Sequence, residues 1–297
     1  MSPGWSGTVR ELDPVGDRET LGRLWRAALA PTWPLLPAGV ELLTGGLVAE
    51  EGGRPVGAVA VDPAGSVQLL LVDPARGRRG VGTALLDAAM ERLAAAGAGT
   101  VRLGSGGADY VWPGVPDDLP AAVRFFAARG WRYDHAVLDL VADLAGWRAP
   151  EGVHERVARE GITLGVAGGG ELAEVLAFEA GHFPEWSRAF ERRDASVLLA
   201  RDQAGPLVGT LLFRGPDPRL LLAPMLGPAM GTIGCVGVAG HARGRGVGSA
   251  MVARASELLG DAGTRACHIG WTVRERFYAH VGYAPWRRYL MASRRAG

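Results

Sequence analysis

The clearest chemical signature in the sequence lies in residues 234–257, where an apolar strand pattern runs into a glycine- and arginine-rich turn and then into a helical pattern. Residues 243–248 at its centre fit the spacing R-x-x-G-x-G. The first N–H groups of a helix have no acceptor within the helix and carry the positive end of its dipole. Glycines let these groups approach an anion closely, and Arg243 and Arg245 add positive charge. The segment therefore predicts a binding site for a phosphate-bearing ligand.

A second copy of this pattern lies upstream at residues 72–86, which align without a gap with residues 238–252. The alignment places Gly80 opposite Gly246 and Gly82 opposite Gly248. Each copy follows an apolar stretch and precedes a segment whose apolar spacing is typical of an amphipathic helix. The alternative is a pair of plain helix starts with exposed arginines, but two aligned turns are stronger evidence than one glycine loop. The chain therefore contains an internal repeat.

With these two turns the chain resembles a tandem member of the GNAT superfamily of acyltransferases. The resemblance implies that each turn holds the pyrophosphate of acetyl-CoA, the acyl donor. It also implies that splayed strands before the turn expose a backbone N–H to the thioester carbonyl. In the second repeat the implied coenzyme-binding residues are Val236, Gly237, Val238, Arg243, Gly244, Arg245, Gly246, Val247, Gly248 and Ser249. In the first repeat they are Val72, Arg78, Arg79, Gly80, Val81, Gly82 and Thr83.

The order of predicted elements indicates two α/β domains. Each half reads as a strand, one or two helices, three strands, a helix, a strand, a helix and a strand, which is typical of a mixed α/β sheet. We expect an N-terminal GNAT-like domain in residues 1–146 and a C-terminal GNAT domain in residues 162–297, joined by a linker with a short charged helix. A chain of 297 residues is long enough for two domains of common size.

Composition and charge narrow the classes of function. A net charge of +1 argues against a general nucleic-acid surface, and no apolar run has the length of a membrane span. The N-terminus lacks the apolar centre of a signal peptide, so we expect a cytoplasmic protein in which Cys235 and Cys267 are free thiols. The lack of Lys excludes a lysine Schiff base and a Walker-type phosphate loop, and no His or Cys spacing predicts a metal site. The expected partners are acetyl-CoA and a small amine, in a monomer or homodimer that binds neither nucleic acid nor membrane.

Tyr278 is the candidate general acid. The resemblance implies a tyrosine four residues before a Gly-aromatic pair, and Tyr278 holds that position before Gly282 and Tyr283. A phenol can protonate a departing thiolate; the alternative is a tyrosine packed on the pantetheine arm. The first repeat has Phe126 there, which has no proton to give. We therefore expect catalysis in the C-terminal half, with the N-terminal half as a scaffold, a substrate-binding wall or a second coenzyme site.

The general base has several candidates. Related glucosamine acetyltransferases carry an acidic residue just before a Trp-Thr pair, but Gly270 precedes Trp271 here. We expect His268 or Glu185 to take the proton, although a His on a strand is also a common core residue. His182 and His280 in the same half are further candidates, and deprotonation through a water relay is another alternative.

An insertion in the first repeat, residues 104–116, bears on the acceptor. It ends in Pro-Gly-Val-Pro and resembles a loop of glucosamine N-acetyltransferases and of the acetyltransferase-like domains of O-GlcNAcases. Together with residues 182–186 and 283–289 this resemblance implies an amino-sugar acceptor such as glucosamine. The alternative is a rigid connector that packs Tyr110 and Trp112 into a domain interface.

Two other functions stay open. A mycothiol-synthase-like tandem transferase would act on a cysteinyl glycoside, although the asparagine expected at its strand–helix junction is absent here. A non-catalytic acyl-CoA sensor or interaction module would account for Phe126 in the first half and for Gly270 in the second.

Overall fold

The computed structural model describes residues 5–104, 110–192, 194–203 and 205–296. The chain divides into two compact units, the first made of residues 1–137 and 288–297 and the second of residues 138–287. Both boundaries fall inside long strands. The last strand of each sequence repeat therefore ends in the unit built mainly from the other repeat.

The first unit is a mixed sheet with helices packed on it. Its strands are β1 Thr8–Glu11, β2 Gly46–Glu51, β3 Arg54–Asp62, β4 Ser66–Val72, β5 Thr100–Leu103 and β6 Val115–Pro116. Its helices are α1 Arg18–Leu29, α2 Pro37–Glu41, α3 Val81–Ala95 and α4 Pro120–Ala127. The strands follow the order β1-β2-β3-β4-β5, and only β4 and β5 run parallel.

The second unit is built on the same plan. Its strands are β7 Tyr133–Asp143 from Leu138 onward, β8 Thr163–Val166, β9 Ser196–Arg201, β10 Leu207–Arg214, β11 Met230–Val238 and β12 Ala266–Thr272. Its helices are α5 Val153–Arg159, α6 Leu172–His182, α7 Ser187–Phe190, α8 Ala223–Leu226, α9 Val247–Asp261 and α10 Glu275–Ala279. The strands follow the order β7-β12-β11-β10-β9-β8, with β11 and β12 parallel. The predicted fold class, a mixed α/β sheet in two tandem domains, is thus confirmed.

The final strand, β13 Ala284–Arg295, belongs to the first unit from Arg288 onward. It pairs antiparallel with β5, where Ser293 lies opposite Arg102. In the same way β7 pairs antiparallel with β12, where Leu140 lies opposite Ile269. The compact units therefore differ from the expected domains 1–146 and 162–297, because long-range ladder hydrogen bonds, rather than the sequence repeat, decide which sheet a strand joins.

The helix after each glycine turn is held by its apolar face. In α9 the buried residues recur at helical spacing along the face that lies on the sheet, as they do in α3: Val247, Ala250, Met251, Ala255 and Leu259, and Val81, Leu85, Leu86, Ala89 and Leu93. A fully buried leucine contributes about 1.5–3 kcal/mol, so this packing fixes where each helix begins. The two turns are thereby held at the ends of β11 and β4.

The parallel strands before each turn stop pairing partway along. Strand β11 pairs with β12 only from Met230 to Ile233, and β4 pairs with β5 only at Ser66 and Val67. Beyond these points β11 and β4 stay paired with their antiparallel neighbours β10 and β3. Each unit therefore has a sheet that splays open just ahead of its glycine turn.

Several short elements escaped sequence reasoning. They are α2, α8, β6 and β8, each of five residues or fewer. The short charged helix expected in the linker is α5, and it packs into the second unit through buried Val157. Among residues 5–104, 110–192, 194–203 and 205–296, no helix is both long and apolar enough to cross a bilayer.

Candidate active site

The glycine turn of the second unit presents free helix-start amides. Gly244 and Gly246 adopt positive φ angles of 80° and 90°, and Gly246 is the N-cap of α9. The first backbone N–H with an acceptor inside α9 is that of Ala250, whose nitrogen lies 3.1 Å from the Gly246 carbonyl oxygen. The N–H groups of the three residues between them have no acceptor inside the helix, which is the arrangement that binds an anion.

Three arginines surround this turn but are used differently. Arg243 is exposed, with its Nε donating to the Val238 carbonyl oxygen at 3.1 Å. Arg245 is tied at 2.9–3.0 Å to the carboxylates of Asp202 and Glu160, so much of its charge is compensated. Arg156 of α5 donates to the Gly244 carbonyl oxygen at 2.6 Å. The expected cation Arg245 thus braces the turn, and an unexpected one, Arg156, lies against it.

The turn of the first unit has the same backbone with different side chains. Gly80 caps α3 with a φ of 92°, and Arg78 before it also has a positive φ, of 60°. Here the Arg129 guanidinium lies 3.8 Å from the centre of the Phe125 ring and donates to the Thr83 hydroxyl. In the second repeat Val281 stands in place of Arg129, so no such cation lies on Ser249.

A bulge shapes the splayed part of β11. The register with β10 shifts between Gly237, opposite Thr210, and Gly234, opposite Leu212, and Cys235 within this stretch has a φ of 48°. A Cβ on Gly237 would lie 2.6 Å from the Phe183 ring, so only glycine fits there. This bulge gives residues 234–238, which include the predicted Val236–Val238 contacts, a backbone edge that faces the opening rather than β12.

Tyr278 is buried, with 8% of its surface exposed, and lies on α10 next to the Phe277 ring. Burial raises the pKa of Tyr278 to about 12, the nearby Cys235 thiol adds to the rise and Arg274 opposes it. The phenol is therefore protonated throughout the neutral range. The influence of Cys235 also means that Tyr278 lies close to the bulge.

Glu179 is the unexpected acidic residue of this region. It lies on α6, is fully buried, and accepts a hydrogen bond from the Thr210 hydroxyl at one carboxyl oxygen, Oε1. The other oxygen, Oε2, is buried with no hydrogen-bond partner among the described residues. Burial raises the pKa of Glu179 to about 7, and the charge of Glu185 adds to the rise. Glu179 therefore changes its charge near neutral pH.

Cys235 and Glu185 complete this cluster of ionisable groups. Burial, followed by the charges of Glu179 and Glu185, raises the pKa of the Cys235 thiol to about 12. A thiol with that pKa stays protonated and is a poor nucleophile. The structure thus brings the predicted Glu185, on the short turn after α6, into the electrostatic neighbourhood of the β11 bulge. It does so through Glu179 and Cys235, which sequence reasoning missed.

His268 occupies a different environment on β12. Its Nε2 lies 3.0 Å from a carboxylate oxygen of Asp139, which is buried on the neighbouring β7. The other oxygen of Asp139 accepts the backbone N–H of Trp271 at 2.9 Å. Trp271 has a φ of 49° at a register shift between β12 and β7. Asp139 therefore stabilises the strained backbone at Trp271 and lies at ion-pair distance from His268, whose Nε2 makes no hydrogen bond among the described residues.

The remaining candidates lie apart from this cluster or serve packing. His182 is exposed and its ring contacts Phe178 at 4.6 Å, while His280 is exposed on the far side of α10. In the inserted loop, Trp112 packs between Trp25 and Trp33 in the core of the first unit. Residues 105–109 of that loop lie outside the described residues. Tight packing of Trp112 supports a connector role for this part of the loop.

Local sequence signals could not have singled out Glu179, Asp139 or Arg156. Glu179 reads as an ordinary helical glutamate, and Asp139 as an outward residue of a strand. Their roles depend on partners on other elements, Thr210 and His268, which only the sheet topology brings near.

Family models match both repeats. An acetyltransferase (GNAT) domain matches residues 44–133, and an acetyltransferase (GNAT) family model matches residues 171–283, which together exceed half of the chain. The chain belongs to the GNAT family of acetyltransferases. Enzymes of this family use acetyl-CoA as the donor, and the two matched segments contain the two glycine turns. The resemblance drawn from those turns is thus confirmed.

Curated relatives carry one name. The chain is 34% identical over 218 residues to the mycothiol acetyltransferase of Clavibacter michiganensis subsp. michiganensis (strain NCPPB 382), covering 71% of this chain and 66% of the relative. It is 32% identical over 226 residues to the mycothiol acetyltransferase of Clavibacter sepedonicus, covering 70% and 66%. The chain therefore spans just under two thirds of the length of these relatives.

A solved structure resembles the whole chain. The GCN5-related glucosamine N-acetyltransferase region of a fungal multi-domain GH3 β-N-acetylglucosaminidase is 30% identical with a TM-score of 0.89, covering 99% of this chain and 38% of that one. A tandem GNAT protein from the clavulanic acid biosynthesis pathway is 21% identical with a TM-score of 0.68, covering 98% and 99%. The second likeness supports the tandem fold alone.

The buried carboxyl of Glu179 predicts a pH-dependent stability. Its folded-state pKa of about 7 exceeds the ordinary value of 4.5, so the folded chain holds an extra proton between these values and loses stability as the pH rises through them. We expect the free energy of unfolding of Glu179→Gln, relative to that of the unsubstituted chain, to increase by about 1–3 kcal/mol when the pH is raised from 5 to 8. Urea denaturation at both pH values measures this. The exposed Glu191→Gln, just after α7, is the control, and a pH-independent difference for Glu179→Gln would contradict the prediction.

Proposed function

We propose that the protein is an acetyl-CoA-dependent N-acetyltransferase that acts on a small amine, and that the second unit carries the catalysis. The observation that carries this proposal is the opening between β11 and β12 beyond Ile233, which leads directly to the Gly246 turn. An elongated thioester can lie in such an opening with its diphosphate on the helix-start amides. The same geometry explains why the strands separate at all.

The turn supplies the donor-binding contacts. Free N–H groups at the start of α9, with exposed Arg243 beside them, suit a diphosphate. Arg156, held at the Gly244 carbonyl oxygen, adds a second cation near the same anion. Arg245 forms ion pairs with Asp202 and Glu160, so its contribution is to hold the turn in shape.

The bulged edge of β11 supplies the groups that face the reacting carbonyl. On its β12 side, residues 234–238 have lost their ladder partner, so backbone N–H groups there can donate to a developing oxyanion. Donors of this kind are fixed by the sheet and need no reorganisation during the reaction. Cys235 stays a neutral thiol, so a direct attack of the amine on the thioester is favoured over an acyl-cysteine intermediate.

Tyr278 acts as the acid at the departing sulfur. Its pKa of about 12 lies above that of an ordinary thiol, so complete proton transfer from the phenol to the free thiolate would be uphill by roughly 5 kcal/mol. The hydroxyl therefore donates a hydrogen bond as negative charge grows on sulfur, and the proton moves as the C–S bond breaks. The first unit has Phe126 at this position and lacks that donor.

An amino sugar is the proposed acceptor. Support comes from the 30% identity to a fungal glucosamine N-acetyltransferase region across 99% of this chain, which includes both units. The 34% identity to a mycothiol acetyltransferase favours a second candidate, the amine of a cysteinyl glycoside, although it covers 71% of this chain. The two candidates share a sugar-linked amine and differ in the distance between that amine and the ring.

A panel of amines tests this function. We expect turnover in a thiol-release assay with glucosamine or a cysteinyl glycoside, and slower turnover with peptide N-termini and with polyamines. Calorimetry with acetyl-CoA alone is run alongside. Coenzyme uptake without turnover on any amine would instead support an acyl-CoA sensor, and absence of uptake would refute both functions.

A matched pair of glycine substitutions locates the coenzyme. Gly246 and Gly80 have φ angles of 90° and 92°, so alanine imposes the same backbone strain at either N-cap. At Gly246 the added Cβ would also lie 2.9 Å from the Arg156 side chain, which has to move aside. We expect Gly246→Ala to weaken acetyl-CoA binding about tenfold or more, equivalent to about 1.4 kcal/mol, and Gly80→Ala to change it less than about twofold. Calorimetry measures both. The reverse pattern would move the coenzyme to the first unit.

Removal of the Tyr278 hydroxyl tests the acid. We expect Tyr278→Phe to lower kcat at neutral pH about 100-fold and to change the Kd for acetyl-CoA less than about twofold, because the phenol acts after binding. Tyr283→Phe is the control, since that hydroxyl lies 2.8 Å from Ser256 Oγ in the core. An unchanged kcat for Tyr278→Phe would remove Tyr278 from the mechanism.

A further inference from the structure

Glu179 is a buried acid with half of its hydrogen-bonding capacity unused. Oε1 accepts the Thr210 hydroxyl, whereas Oε2 is shielded from solvent and meets no donor among the described residues. A buried carboxyl oxygen without a partner is costly to the fold, and such an oxygen in a folded protein calls for an explanation. A donor that is present only in a complex, or a bound water, would supply one.

The sheet register places this acid beside the reacting edge. Thr210 lies directly opposite Gly237 in the β10–β11 ladder, so its side chain is next to the splayed part of β11. Directly opposite residues of an antiparallel pair have Cβ positions about 4.5–5.5 Å apart. The Thr210 hydroxyl, which donates to Glu179, is thus adjacent to Gly237. This glycine packs under the Phe183 ring at the bulge of β11.

The polar and ionisable groups around Glu179 come from three elements. Glu185 on the turn after α6 and the Cys235 thiol on β11 are both near enough to couple with it, and Thr210 faces it from β10. None of these is a cation. Glu179 is therefore short of the positive partner that a buried carboxylate needs, and an ammonium group would provide it.

The other buried carboxylate of this unit is already occupied. Asp139 binds the Trp271 N–H with one oxygen and meets His268 with the other. One oxygen serves the fold of β12, and the other lies 3.0 Å from the His268 imidazole. Of these two acids, Glu179 is the one with an oxygen to spare.

We propose that Glu179 is the catalytic base of the acetyl transfer and takes a proton from the acceptor ammonium at Oε2, either directly or through one bridging water. This inference rests on the proposed function. The ionised carboxylate accepts one proton from the R–NH3+ group and leaves a neutral amine, whose lone pair forms the C–N bond at the thioester carbonyl carbon.

The remaining steps conserve atoms and charge. Collapse of the tetrahedral adduct breaks the C–S bond, and the second nitrogen proton reaches the departing sulfur by way of the Tyr278 hydroxyl, which is left protonated. Glu179 then releases the first proton to solvent. The products are the acetamide, the thiol of the coenzyme and one proton, which balance the ammonium and the thioester.

Glu179→Gln tests the proposal, because it keeps an oxygen that can accept from Thr210 but removes the proton acceptor. We expect kcat to fall by about 100-fold to 10,000-fold, the range of general base catalysis, with the Kd for acetyl-CoA within about twofold. In the unsubstituted enzyme kcat/KM falls below about pH 7 as Glu179 becomes protonated, and this acid limb disappears in the variant. The exposed Glu174→Gln on the same helix keeps both kcat and the limb.

Three results would overturn the proposal. Glu179→Gln with unchanged kcat and an unchanged acid limb would make Glu179 a purely structural acid. Loss of the limb in His268→Gln, but not in Glu179→Gln, would give the role of base to the His268–Asp139 pair. Coenzyme binding without turnover on any amine in the unsubstituted protein would refute the proposed function itself, and with it this role, whereas the first two results leave the function standing. Circular dichroism and acetyl-CoA calorimetry verify that each variant is folded.

Discussion

The structure of each unit depends on two parallel strands that stop pairing partway along. In the second unit β11 leaves β12 after Ile233, so the backbone edge of residues 234–238 has no strand on that side. Unpaired backbone groups cost free energy when they are buried, and a protein keeps them where water or a ligand supplies the missing partners. The bulge at Cys235 and the glycine under Phe183 lie along this unpaired edge, and the turn at Gly246 follows it. The proposed transferase chemistry uses that edge and those amides.

The two units share one backbone arrangement but carry different side chains around the opening. Both have a left-handed glycine at the helix N-cap, a splay and a bulge in the preceding strand. They differ at side chains around the opening: Phe126 replaces the phenol of Tyr278, and Arg129 lies across the helix start where Val281 stands in the second unit. Backbone geometry is therefore duplicated while the proton donor is not. Each unit also includes part of a strand from the other repeat, β13 in the first unit and β7 in the second.

Sequence reasoning succeeded where the determinants are local. The two turns, the helices after them and the position of Tyr278 depend on glycines and apolar residues within a few positions, and the family membership follows from them. It could not foresee which sheet β13 joins, because that depends on ladder partners such as Arg102, nearly 200 residues away. It also missed Glu179 and Asp139, since nothing local distinguishes a helical glutamate that meets Thr210 from one that meets solvent. It did not foresee the ion pairs of Arg245 to Asp202 and Glu160 for the same reason, because these are contacts at long sequence separation.

The absence of an acidic residue at position 270 connects these observations. Position 270 is glycine, and Asp139 of β7 already accepts the backbone N–H of the next residue, Trp271. A base for the amine must therefore come from another element. Helix α6 offers Glu179, and the burial that raises its pKa to about 7 also brings its proton affinity into the range in which an ammonium can be deprotonated. The same burial that weakens the fold above neutral pH thus prepares this carboxyl for the proton transfer proposed for it.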